Sequence, residues 1–133
     1  MAIMRRVGIL LLLVGLAQPA GAQAPAQAPP AGDPPYMPQL TRLAEILGAV
    51  HFLQNLCGKS ADRSVWRQDM AALLEAENPD PERRARLVAA FNRGYRGFAE
   101  TYRSCTDSAR VSIERYRVEG SKIAREIVAR YGG

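Results

Sequence analysis

The side chains able to do chemistry in this chain are few, and their spacing narrows what that chemistry can be. The chain has two cysteines, Cys57 and Cys105, and one histidine, His51. The cysteines lie 48 positions apart, so they form neither a CxxC redox motif nor a paired zinc ligand set. A single histidine needs cysteine or carboxylate help to hold zinc, and His51 reads instead as a helix residue partly buried beside Phe52. Glu75 and Glu77 stand before Asn78-Pro79, and a lone glutamate of raised pKa can cleave a glycan. A bundle of about 95 residues leaves little room for a long sugar cleft, so these read as solvated helix-end acids. Arg83, Arg84 and Arg86 could meet an anionic polymer or lipid headgroup, set against the plainer reading of a solvated face beside Glu82. No nucleophile with its base, glycine-rich phosphate loop or metal-ligand cluster is visible. The expectation is a non-enzymatic protein with no cofactor and no metal.

The N-terminus says where such a protein would work. Arg5 and Arg6 precede a run over residues 7–16 that is apolar apart from Gly8 and Gly15, and Ala20-Gly21-Ala22 offers a small-residue cleavage site. That is the pattern of a secretory signal peptide over residues 1–22, cleaved near Ala22. The apolar run is too short to span a bilayer, which takes about 20 residues. No cysteine follows it to carry a lipid. Loss of Arg5 and Arg6 lowers the formal net charge from +5 to +3. Residues 23–35 are rich in Ala, Pro and Gln, lack apolar bulk and read as a disordered tether. The folded domain is then 36–133, periplasmic, with no stable membrane span after cleavage.

In an oxidising compartment an even pair of cysteines reads first as a disulfide, with two buried free thiols as the rival. Closing a loop of about 48 residues would contribute roughly 4 kcal/mol in the chain-entropy model. A domain this small gains much from such a staple.

The elements that hold these residues read as helices throughout, giving an all-α fold: a small antiparallel bundle of three to four helices with one disulfide. The first, over 38–57, carries Leu40, Leu43, Leu47 and Val50, widened by Ile46, Leu53 and Leu56, so it is largely buried. Pro38 suits its first turn, and Gly58 suits a left-handed position past its end. The second, over 62–77, starts at Asp62 or Ser60 and presents Trp66, Met70, Leu73 and Leu74. The third opens with Asp80-Pro81-Glu82, a cap, a first-turn proline and an acid at the positive end of the dipole. Thr106-Asp107-Ser108 caps a fourth helix carrying Ile113, Tyr116, Ile123 and Ile127, or else the third runs on with a kink; a break is favoured. Short links make neighbours antiparallel, which puts Cys57 and Cys105 at one end.

Phe91, Tyr95, Phe98, Tyr102 and Cys105 recur at four and three, a stripe that reads as core. Arg96–Glu100, Arg110–Glu114, Arg115–Glu119, Lys122–Glu126 and Glu126–Arg130 have i,i+4 spacing, worth a few tenths of a kcal/mol each. They describe a charged exposed face and no nucleic-acid footprint. Gly94, Gly97 and Gly120 sit inside helical pattern at a cost of about 1 kcal/mol each against alanine. Close approach of a neighbouring helix or partner chain would offset it, with a backbone irregularity as the alternative. Arg83, Arg84, Arg86, Gly94 and Gly97 therefore mark the candidate interaction surface. Its expected partner is an envelope protein, or alternatively an anionic envelope polymer such as peptidoglycan or lipopolysaccharide.

The string Y-x-P-Q-L-x-R-L-A-E-I-L-G with H-F-L-x-x-L-C, then W-R-x-x-M, then R-R-A-R-L-V-A-A-F-N-R-G-Y-R-G-F-x-x-x-Y-x-x-C-T and R-Y-x-x-E-G, closely resembles an uncharacterised family of alphaproteobacterial exported proteins. The resemblance covers about residues 36–132. It implies export and the pairing of Cys57 with Cys105, where that family has its cysteines. The family has no assigned activity, cofactor or catalytic residue, so the resemblance adds no mechanism.

Overall fold

The computed structural model describes residues 32–58 and 65–133. Four helices follow in order, α1 (Met37–Cys57), α2 (Val65–Glu77), α3 (Pro81–Thr101) and α4 (Asp107–Tyr131). There is no strand among the described residues. The export signal, residues 23–31 of the tether and the cap candidates Ser60 and Asp62 lie outside the described residues.

α1 is the axle of the bundle. The residues from Ile46 to His51 are all buried, a run longer than one 3.6-residue turn, so every side of the helix is covered at that level. α2 covers it with Met70 and Leu74, which join Leu40, Ala44 and Leu47 in one cluster. α4 covers a second side, where Ala109 and Ile113 meet Leu53. α3 covers the third through its closest backbone approach. A methyl group on Gly48 would run into the Phe91 carbonyl, and one on Gly94 into the Glu45 carbonyl. Ala44 and Gly48 on α1 thus face Ala90 and Gly94 on α3, pairs of small residues four apart that let two backbones nearly touch.

The ends follow local chemistry. Asp80 caps α3 by accepting the Arg83 N–H at 2.9 Å, with Pro81 in the first turn. α2 closes with Asn78 in the left-handed region (φ 39°), which Asn tolerates better than most residues. The third helix does break. Tyr102 (φ −107°, ψ 128°) and Thr106 (φ −90°, ψ 167°) are extended, so the turn needs no glycine. Thr106 then caps α4, accepting the Ala109 N–H at 3.1 Å.

Four expectations need correction. Gly58 is extended (φ −88°, ψ 170°), not left-handed; its N–H still reaches the Gln54 carbonyl at 2.6 Å. A side chain there would crowd that carbonyl at 2.5 Å, so glycine is suited by space and not by φ. Residues 33–35 belong to the folded unit and not to a tether. The Asp33 carboxylate takes two bonds from Arg86 at 2.6 and 2.8 Å, and the Pro34 carbonyl accepts the Met37 N–H at 2.9 Å. The aromatic stripe is not one helical face, because α3 ends at Thr101. Its buried spine is Leu87, Ala90 and Gly94, and the rings pack half-buried beside it. Finally, the α4 charges regroup: Arg110 pairs with Asp107, Arg117 with Glu114, and Glu119 leaves its own helix. Lys122–Glu126 is found as read, at 3.9 Å.

Candidate functional site

The disulfide joins Cys57 at the end of α1 to Cys105 in the α3–α4 turn, with Cα atoms 4.9 Å apart. Antiparallel neighbours bring both cysteines to one end, and no free thiol remains among the described residues. Leu53, Ala109 and Ile113 form a small core beneath the bridge, flanked by Phe52, Phe98 and Tyr102. The bridge is therefore a staple over a second apolar cluster.

The arginine cluster is largely satisfied from within. Arg83 Nε donates to Asp80 at 2.6 Å, and Arg86 donates to Glu82 at 3.0 Å as well as to Asp33. Two bonds from Arg83, through its backbone N–H and then its side chain, hold Asp80 below its ordinary carboxylate range. Arg84 is exposed, but three acids stand against the three arginines. The local field is close to neutral, which removes most of the attraction for a polyanion.

The two α3 glycines separate. Gly94 is buried, and the notch beside it is filled by Glu45 and Ala49 of α1, so it is no part of an outer surface. Gly97 is exposed, and no atom of the described residues lies within 4 Å of the place a methyl would take. Gly120 is intermediate: it is buried, and a methyl there would lie 3.3 Å from the Ile46 side chain, a tight contact with a side chain and not with backbone. For Gly94, the approach of a neighbouring helix backbone accounts for the residue.

His51 is more deeply set than expected, only 5% exposed. Its ring packs 5.8 Å from both Phe91 and Tyr95, while Phe52 meets Tyr95 edge-on at 5.3 Å. Nε2 lies 3.5 Å from the Asn55 amide, a marginal contact, and Nδ1 has no hydrogen-bond partner among the described residues. Burial, with the Arg67 charge added, keeps the ring below its ordinary pKa and therefore neutral. Glu77 accepts the Tyr36 hydroxyl at 3.2 Å and ties the end of α2 to the start of α1; Glu75 is exposed. Burial first, and then Glu77, raise the Tyr36 pKa. Among the described residues, no three of His, Cys, Asp and Glu converge as a metal site would require.

One polar joint was not visible in the sequence. Arg42 of α1 grips Glu119 of α4 with two bonds, at 2.8 and 3.1 Å. Its guanidinium also lies 5.4 Å from the centre of the Tyr116 ring. The partners are 77 residues apart, and Glu119 stood in an unremarkable i,i+4 pattern.

The remaining feature is the outward face of α4. Val111 and Val118 are each 67% exposed and Val128 is 66% exposed. A shallow groove of about 320 Å³ on this face is lined by Glu114, Arg117, Val118, Ser121 and Arg125. Among the described residues no helix is long and apolar enough to cross a membrane.

Among known proteins, the family model described as Protein of unknown function (DUF2385) matches residues 35–131. No curated protein and no solved structure gives a significant match.

Proposed function

Given that the chain belongs to that family of unknown function over residues 35–131, we propose that it is an exported, periplasmic, non-enzymatic module that binds a protein in the cell envelope. The observation that carries this reading is the α4 face. Val111 and Val118 are seven residues apart, so they lie on one side of the helix, opposite the inward Ala109, Ile113 and Gly120. Both valines are two-thirds exposed, and valine is a weaker helix former than alanine or leucine. Apolar groups on one face, rimmed by charge, are a surface suited to a protein partner. The interaction surface thus moves from the α3 arginines and glycines to α4. The Cys57–Cys105 bond supports an oxidising compartment, as do Arg5, Arg6 and the apolar run behind them.

Binding of peptidoglycan or lipopolysaccharide through Arg83, Arg84 and Arg86 loses support, because Asp33, Asp80 and Glu82 occupy two of the three. Cell fractionation with intact-mass measurement tests the compartment. The expected species is periplasmic, oxidised and begins near Gln23. A cytosolic, reduced, full-length chain would overturn the reading. Retention on purified cell wall that vanished in Arg84→Ala would favour the polymer instead.

A further inference from the structure

The outward face of α4 has a symmetry that names its partner. Val111, Glu114, Val118, Ser121, Arg125 and Val128 follow one another at spacings of three, four, three, four and three. That is the a/d rhythm of a helix pair, and it reads the same in both directions. All six are exposed. Laid against itself antiparallel, about a point level with Glu119 and Gly120, the stripe matches its own reverse. Val111 meets Val128 of the other helix, Glu114 meets Arg125, and Val118 meets the small Ser121. Two-fold symmetry makes each match occur twice.

We infer that this face pairs with a second copy of the same chain, α4 against α4 and antiparallel. The inference rests on the reading of α4 as the protein-binding surface and specifies its occupant. Charge argues for the antiparallel register. The opposite charges at 114 and 125 stand equidistant from the helix centre, so they coincide only when the helices run oppositely. A parallel pair in register would set Glu114 against Glu114 and Arg125 against Arg125. The groove beside Val118 gives the second helix a seat. In the single chain Glu114 pairs with Arg117 at 3.3 Å, an exposed contact that is cheaply exchanged. α4 has 25 residues and is about 37 Å long, so helix-on-helix contact alone falls at the small end of specific interfaces. Arg115 and Lys122 flank the stripe with like charge. Both features make the pair weak and reversible.

Sedimentation equilibrium on the chain purified from its expressing cell tests the inference, with three variants: Glu114→Arg, Arg125→Glu, and both together. The expected result is a reversible monomer–dimer equilibrium. Each single reversal turns two attractions into two repulsions and weakens the dimer about tenfold or more. The double reversal restores opposite charges and returns the affinity. Since the double variant carries both changes, its recovery also shows that neither change harms the fold. A wild-type chain that stays monomeric at millimolar concentration would overturn the pair. So would single reversals without effect, or a double reversal that fails to recover. A monomer that still crosslinks to another envelope protein through position 118 would sink the self-pair and spare the wider interaction reading. A dimer that behaves as expected, with no envelope partner in the cell, would do the reverse.

Discussion

Gly94 and Gly97 sit three residues apart on the same helix, and alanine at each should move stability in opposite directions. In a helix interior alanine is favoured over glycine by about 1 kcal/mol, and both substitutions receive that gain. At 97 nothing opposes it, because the new methyl meets no atom of the described residues within 4 Å. Gly97→Ala should therefore stabilise by about 0.5–1 kcal/mol. At 94 the methyl collides with the Glu45 carbonyl and would lie 3.0 Å from the Ala49 nitrogen. Those are backbone atoms of the most buried helix and cannot rotate away. α3 must back off from α1, which also opens the matching contact of Gly48 with Phe91. Overpacking of this kind costs typically 1–3 kcal/mol, and a backbone collision belongs at the upper end, about 3. After the propensity gain, Gly94→Ala is destabilising by about 2 kcal/mol. For a domain of this size that lowers Tm by roughly 8–16 °C, while Gly97→Ala raises it by a few degrees. Thermal unfolding followed by circular dichroism, with the disulfide intact, measures both. Shifts of the same sign, or a neutral Gly94→Ala, would refute the close crossing of α1 and α3.

Three further outcomes are expected. Reducing the Cys57–Cys105 bond, or replacing both residues with serine, should lower stability by about 4 kcal/mol, read as a shift in the urea midpoint; an unchanged midpoint would contradict the staple. His51 is held neutral below its ordinary value, so the unfolded chain takes up the proton first. Stability should then be flat above about pH 6.5, fall below it by up to about 1.4 kcal/mol per pH unit, and level off below the folded pKa. His51→Leu should remove that slope in denaturation curves between pH 7.5 and 5.5, and an unaltered slope would assign it to other groups. A double-mutant cycle on Arg42 and Glu119, whose side chains are about a third exposed, should give a coupling of about 0.5–1 kcal/mol; zero coupling would make the bidentate joint ornamental.

Local signals in the sequence proved reliable where their chemistry is local. Asp80 and Thr106 cap helices because a short side-chain oxygen three residues before a free N–H can do little else. The wide apolar stripe of α1 implied a largely buried helix, as found over residues 46–51, and the cysteine pair agreed with antiparallel topology. What escaped depended on partners far along the chain. Gly94 and Gly97 are equivalent in sequence and differ only in what stands opposite them. Asp33 lay among prolines and alanines, with nothing to announce Arg86, and Glu119 had a nearer cation than Arg42. The arginine cluster looked like a basic patch because Asp80 read as a helix cap, and Asp33 stands 53 residues before Arg86. The outward face of α4 escaped for the same reason. Exposure of valine on α4 becomes visible only once the inward face of that helix is known.

The most direct measurement places a photoreactive amino acid at position 118 in one strain and at position 84 in another, with crosslinking in intact cells. If α4 is the working surface, position 118 yields a discrete protein adduct, including one at twice the mass of the chain, and position 84 yields none. Adducts from position 84 alone, or none from 118, would contradict it.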